Sequence, residues 1–259
     1  MKWLELTKIN SVYNMTLNRP DVRNAFNPEV ICEITQAFKN IPTGVRVIIL
    51  RGHGKVFCSG ADLEWMRSMV NYTLAENQRD SLELYEMFKV MRDCALPIIT
   101  VVQGAAMGGA LGLMACSDVV LAESTTQFCF SEVRLGLAPA VISRFILEKS
   151  TLAQVNPWMI SGKVFGVSEA KTMGLVQQFG TKDEIEVYLK EWAQSFLDAA
   201  PGAVSETKKL LQGLAIQSED DQLERTTSLI AARRVSTEGQ EGLKSFLEKR
   251  QPAWKEVWK

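Results

Sequence analysis

The sequence predicts an α/β fold built on a mostly parallel, buried sheet, with a helical region towards its C-terminal end. Three features predict it. Short β-branched runs alternate with helical patterns as far as Lys182, the spacing that parallel crossovers require. Runs such as Ile98-Ile99-Thr100-Val101-Val102 offer apolar side chains to both faces, as strands inside a parallel sheet do. Beyond Lys182 the β-branched runs stop and four helical patterns follow.

Taken in order, residues 4–9 and 12–17 read as two short strands joined by the turn Asn10-Ser11, and Asn18-Arg19-Pro20 ends the second. Residues 28–39 read as a helix with Val30, Ile34, Ala37 and Phe38 on one face, Pro28 in its first turn and Asn27 as N-cap. Residues 45–50 form a buried strand that runs straight into the loop RGHGKVFCSGADL, and residues 64–72 are expected to continue as loop. A long helix over about 74–92 leads to the strand at Ile98, a glycine-rich turn, an apolar helix over 109–116 and a strand over 119–122. The last helices are expected at 184–197, 203–214, 220–235 and 240–249, with Pro201-Gly202 separating the first two. A boundary near 195–203 divides a core, residues 1–198, from a C-terminal helical region, residues 199–259.

Composition narrows the function. With 29 Lys plus Arg against 30 Asp plus Glu, no overall field favours nucleic acid or an anionic membrane. The five cysteines, odd in number and without a C-x-x-C pair, argue for reduced thiols in a cytoplasmic setting and against zinc. The stretch from Cys94 to Ser117 is uncharged and long enough to span a membrane, but Pro97, Gln103 and its glycines interrupt it, so a buried strand, a turn and a buried helix describe it better. The segment MKWLELTKIN has neither an apolar leader run nor a transit composition, and is read as the start of the fold.

Most familiar catalytic machinery is missing. The single histidine, His53, lies between glycines in a loop, and no G-x-S-x-G, G-x-G-x-x-G or G-x-x-x-x-G-K-[ST] occurs. Three stretches remain. Phe57-Cys58-Ser59-Gly60-Ala61-Asp62-Leu63 and Gly104-Ala105-Ala106-Met107-Gly108-Gly109 each put small residues where a parallel strand ends, letting backbone N–H groups approach a ligand. Two such amides aimed at one oxygen make an oxyanion hole; the alternative is that the glycines serve tight turns and close packing. In Phe128-Cys129-Phe130-Ser131-Glu132-Val133-Arg134, apolar neighbours would desolvate Glu132 and raise its pKa into the useful acid/base range, unless Arg134 pairs with it.

Together these stretches resemble the crotonase superfamily in content, order and spacing. Leu17-Asn18-Arg19-Pro20, Asn24-Ala25-Phe26, Gly162-Lys163, Gly174-Leu175-Val176 and Phe246-Leu247-Glu248-Lys249-Arg250 extend the resemblance along nearly the whole chain. The resemblance implies a spiral of ββα units followed by a helical trimerisation region, assembled as a trimer or a dimer of trimers. It implies an acyl-CoA substrate and no separate cofactor or metal, with the thioester oxygen held by the amides of Ala61 and Gly109. Coenzyme A would lie along Arg23, Ala25, Lys55, Ala61 and Leu63, with Phe246 and Lys249 reaching towards a neighbouring subunit.

The departures are informative too. Family hydratases carry two glutamates; Glu132 matches one, and Gly112 stands where the other would be. The run Glu-Val-Arg-Leu-Gly-Leu-Ala-Pro-Ala-Val-Ile-Ser looks most like the methylglutaconyl-CoA and carboxygeranoyl-CoA hydratase branch of leucine and isoprenoid degradation. The expected activity is therefore reversible hydration of an enoyl-CoA, with a Δ3,Δ2-enoyl-CoA isomerase as the alternative and a non-catalytic acyl-CoA or RNA-binding scaffold behind both.

Overall fold

The computed structural model describes residues 1–214 and 218–258. Strands β1 (Leu4–Ile9) and β2 (Val12–Leu17) form an antiparallel hairpin, and helix α1 (Pro28–Lys39) follows. The expected cap is present: the Asn27 side chain accepts from the Val30 N–H at 2.9 Å. Strands β3 (Val47–Gly52), β4 (Ile98–Val102), β5 (Ala105–Met107), β6 (Val119–Glu123), β7 (Gln127–Cys129) and β8 (Gln178–Gly180) complete the β-structure. The main sheet runs β1-β2-β3-β4-β6-β8 and is parallel from β2 onwards.

The period-2 pattern of the strands sets what each face of this sheet touches. Met15, Ile48, Leu50, Ile98, Val102 and Val120 face one large core with α1 and with α3 (Leu74–Arg92), where Met87, Phe88 and Met91 are buried. Their neighbours Val47, Ile49, Ile99, Val101, Val119 and Leu121 face the other way, onto Ile185, Leu189, Ala193 and Leu197 of α8 (Lys182–Asp198). Each such side chain, taken fully from water, contributes about 1.5–3 kcal/mol.

A thin second layer lies beside the sheet. β5 pairs in parallel with β7, and single bridges extend the ladder through Phe26↔Ala61, Cys58↔Ala106 and Phe128↔Phe165. Each turn of the chain thus supplies one strand to the sheet, one short extended piece to the second layer, and then a helix: α2 (Leu63–Met69) with α3 after the first, α4 (Gly109–Ala115) after the second, α5 (Ala140–Ile146) after the third. This is the spiral of ββα units. Residues expected as loop after Asp62 instead form α2, because the Asp62 side chain accepts from the N–H groups of Glu64 and Trp65 and starts a helix.

α6 (Leu152–Ser161) and α7 (Val167–Thr172) lead to β8 and α8. Helices α9 (Pro201–Leu214), α10 (Glu219–Val235) and α11 (Thr237–Leu247) follow, and none of the three buries an apolar side chain. Polar anchors hold α9 to the sheet end: Lys208 Nζ donates to the Leu96 carbonyl at 2.9 Å and to Asp118 Oδ2 at 2.6 Å. The chain then returns to the core, where the Arg46 guanidinium donates to the carbonyls of Leu197, Ala199 and Trp254 at 2.6–2.8 Å. Among the described residues no helix is long and apolar enough to cross a membrane.

Candidate active site

Three consecutive pieces of the second layer end side by side. The segment at Cys58 pairs with β5, since the Cys58 N–H donates to the Ala105 carbonyl (3.2 Å) and the Met107 N–H to the Cys58 carbonyl (3.1 Å). On its other side β5 meets β7, and the Gly108 N–H donates to the Cys129 carbonyl at 2.9 Å. Ala61, Gly109 and Glu132 therefore all sit just past the carboxyl ends of neighbouring parallel strands, the place where open α/β sheets bind ligands.

Peptide planarity fixes where the first amide points. The Gly60 carbonyl accepts from the Phe26 N–H at 2.7 Å, so the Ala61 N–H, on the opposite edge of that peptide, is directed away from the Phe26 N–H. Gly60 lies against β5: a Cβ built on it would fall 2.9 Å from the Met107 carbonyl. The Gly109 N–H opens α4 and has no partner within its own helix. Among the described hydrogen bonds, neither the Ala61 nor the Gly109 N–H donates to a protein group. Unpaired backbone N–H groups of this kind are available to an external acceptor.

Glu132 stands over the same spot. A Cβ on Gly108, whose φ is +53°, would come within 3.2 Å of Glu132 Oε1 and 3.4 Å of Ser131 Oγ, so the carboxyl and α4's entry are in contact. Its second oxygen, Oε2, is buried without a hydrogen-bond partner. Burial raises its pKa above the ordinary glutamate value, a rise its own backbone N–H opposes. The pairing with Arg134 that the sequence left open does not form: Arg134 is exposed, and among the described residues no cation pairs with Glu132.

Gly112, the position at which the resemblance implies a second carboxylate, lies one turn into α4 in space that is already filled. A Cβ there would meet Phe88 Cζ at 2.6 Å, Phe88 Cε1 at 2.7 Å and Ile142 Cγ2 at 2.8 Å. The ring of α3 and the branch of α5 occupy the room that a side chain at this position would use. On this side the site is walled by hydrocarbon.

The expected coenzyme A residues divide into two groups. Arg23, Ala25, Lys55, Ala61 and Leu63 are brought together. The Arg23 carbonyl accepts from the Ser59 N–H (3.0 Å), and the buried Asn24 side chain donates to the carbonyls of His53 (2.8 Å) and Val56 (2.9 Å), tying the 23–26 and 53–57 loops to one another. Lys55 crosses over Gly104 so closely that a Cβ there would collide with its carbonyl oxygen. Arg23, Lys55 and Leu63 are exposed at this edge. Phe246 and Lys249, at the end of α11, are not brought to these loops by any described hydrogen bond or ion pair, and Phe246 is 81% exposed. His53, the lone imidazole, is exposed and meets Glu5 at 2.8 Å. Among the described residues no group of three or more His, Cys, Asp or Glu could hold a metal ion.

Sequence reasoning gave no role to Arg19 or Asp62, whose ion pair at 2.9 Å adjoins Ala61. Only Asp62 left a local signal, as an N-cap before Leu63-Glu64-Trp65.

Past the strand ends of a spiral of ββα units thus lie two amides without a protein acceptor and one desolvated carboxyl. A family model described as enoyl-CoA hydratase/isomerase matches residues 7–257. A crystal structure of an enoyl-CoA hydratase from Shewanella pealeana is 34% identical, with a TM-score of 0.91 and 97% of this chain and 96% of that one covered. An enoyl-CoA hydratase/isomerase from Marinobacter aquaeolei is 30% identical, with a TM-score of 0.93 and coverage of 99% and 100%. A peroxisomal Δ(3,5)-Δ(2,4)-dienoyl-CoA isomerase of Arabidopsis thaliana is 29% identical over 97% of this chain and 96% of its own. The chain belongs to the enoyl-CoA hydratase/isomerase family.

Proposed function

We propose that this chain catalyses the reversible hydration of an enoyl-CoA, with Glu132 as the single acid/base and the amides of Ala61 and Gly109 holding the thioester oxygen. The observation that carries the reading is the Glu132 carboxyl, desolvated, unpaired at Oε2 and in contact with the start of α4. In the hydration direction the carboxylate takes a proton from water as the water oxygen bonds to C3. The C2–C3 π electrons move towards the thioester oxygen, whose negative charge the two amides bind. C2 then takes the proton from the Glu132 carboxyl, which returns as carboxylate. One carboxylate serves both transfers because they occur on one face of the substrate.

The exposed cations Arg23 and Lys55 suit the phosphates of coenzyme A, and the Ala25, Ala61 and Leu63 edge suits its pantetheine arm. The acyl group is assigned to a branched, methylglutaconyl-like class on the resemblance of the 132–143 stretch. The exposed apolar side chains of α10 and α11, Leu223, Ile230, Leu243 and Phe246, support assembly as a trimer or dimer of trimers, in which Phe246 and Lys249 would reach a neighbouring subunit.

The packing around Gly112 supports a second reading, Δ3,Δ2-isomerisation, in which one base carries one proton between C2 and C4 and needs no bound water. Purified protein offered a 2-enoyl-CoA and a 3-enoyl-CoA separates the two. Loss of 2-enoyl absorbance without a coupling enzyme indicates hydration, and its appearance from the 3-enoyl compound indicates isomerisation. A panel of acyl-CoA substrates that includes methylglutaconyl-CoA assigns the acyl group. Turnover that survives Glu132→Gln sinks both readings.

A further inference from the structure

Asp62 follows Ala61 directly and is held from several directions. Its N–H donates to the Phe26 carbonyl at 2.7 Å. Its Oδ1 accepts from the Glu64 N–H at 2.8 Å and the Trp65 N–H at 3.4 Å, which starts α2. Its Oδ2 accepts from Arg19 Nη2 at 2.9 Å. The other arm of that guanidinium, Nη1, donates to the Ala25 carbonyl at 2.6 Å. Arg19 thus straddles the Phe26↔Ala61 bridge, one arm on each strand, and its guanidinium carbon lies 4.9 Å from the centre of the Trp3 ring.

Both charged side chains are almost out of water, Arg19 at 11% and Asp62 at 10% exposure. Burial pulls the Asp62 pKa upward, but its amide donors and Arg19 together outweigh that and hold it below the usual carboxylate value. A close, well-bonded pair of this kind keeps one geometry, because moving either partner strands the other.

We infer that Arg19 and Asp62 are positioning residues for the oxyanion donor at Ala61: by fixing the peptides on either side of Ala61, the pair aims its N–H at the thioester oxygen. This rests on the enolate-stabilising reading given above. The two-armed shape of the guanidinium is essential to the role, since a lysine ammonium is a point charge and cannot hold the Ala25 carbonyl and the Asp62 carboxylate in one fixed plane. Displacing a catalytic donor by about 1 Å costs on the order of 100-fold in rate.

The probe is an aryl-conjugated enoyl-CoA, whose absorbance shifts to longer wavelength when its thioester carbonyl is polarised. Measured at saturating protein, the shift reports only on folded, ligand-bound molecules. Wild type is expected to shift the band. Arg19→Lys is expected to bind the probe with a smaller shift and to lower kcat by about 10- to 100-fold with KM changed by less than about threefold. Asp62→Asn keeps the size and an acceptor for α2, so it breaks the pair without removing the cap, and it should act in the same direction. The double variant should be no worse than the poorer single one, because both act through one geometry. A full wild-type shift in both single variants overturns the inference and leaves the enolate reading intact. A wild type that binds the probe with no shift overturns the enolate reading, and the inference with it.

Discussion

Replacing Gly112 by alanine sets two opposed effects against each other. In a helix interior alanine is favoured over glycine by about 1 kcal/mol, so propensity alone predicts a more stable protein. Against this, the new methyl would lie 2.6 Å and 2.7 Å from two atoms of Phe88 and 2.8 Å from Ile142 Cγ2, where carbon atoms prefer about 3.5–4.0 Å. Neither neighbour can move into water. Phe88 is fully buried with Phe145 5.6 Å from its ring centre, and Ile142 is 2% exposed. Overpacking costs about 1–3 kcal/mol, and contact on two sides places this case at about 2–3 kcal/mol. The net expectation is a loss of about 1–2 kcal/mol, or roughly 2–8 °C in the thermal midpoint for a chain of this size. Thermal and urea unfolding of the purified variant measure it. Phe88→Ala supplies the local control: alone it should cost about 3–5 kcal/mol, and combined with Gly112→Ala it should cost less than the sum. A Gly112→Ala protein more stable than wild type by about 1 kcal/mol would refute the reasoning, since the space beside α4 would then be open and a second carboxylate could have been housed there.

Other expectations follow from single groups. Glu132→Gln should lower turnover by about 10²- to 10⁴-fold, and the acid limb of the wild-type kcat/KM profile should lie above the ordinary glutamate pKa of about 4.3. Because the folded pKa of Glu132 is raised, the stability it contributes is full below the unfolded value and is lost as pH rises through the folded one. Glu132→Gln should therefore match wild type in thermal midpoint at acid pH and exceed it near neutrality; a difference that does not grow with pH contradicts the burial of that carboxyl. Of the five thiols only Cys32 is exposed, and burial pushes Cys58 up to about 12, so a disulfide reagent should modify one thiol quickly and the buried Cys58, Cys116 and Cys129 only on unfolding. Arg46→Ala leaves the carbonyls of Leu197, Ala199 and Trp254 without their donor and should cost about 3 kcal/mol or more, with early proteolysis after Glu248 as its sign.

The main sheet was legible in the sequence because its strands are long enough to display a pattern. β1, β2, β3, β4 and β6 are five or six residues long and each includes β-branched residues, and α1, α3 and α8 repeat their apolar positions at helical spacing. The second layer was not legible. β5 and β7 are three residues each, as is β8 at the edge of the main sheet, and Ala105-Ala106-Met107 within a glycine-rich run has no strand signature of its own. α2 was hidden for a related reason: Leu63-Glu64-Trp65-Met66 is too short for periodicity, and only the Asp62 cap marked it. The site itself was half visible. Small residues at strand ends pointed to two loops, and only the family resemblance singled out Ala61 and Gly109 within them; the grip of Arg19 on Asp62 joins positions 43 residues apart, and the filling of the space at Gly112 needs α3 and α5 in place. Contacts of that kind arise only from the packed chain.

The short ladder that carries Ala61, Gly109 and Glu132 has few hydrogen bonds of its own, and its position is inherited from the broad sheet and cores beside it. Changes at its ends can therefore alter what the site does to a substrate while leaving the folding of the chain nearly untouched.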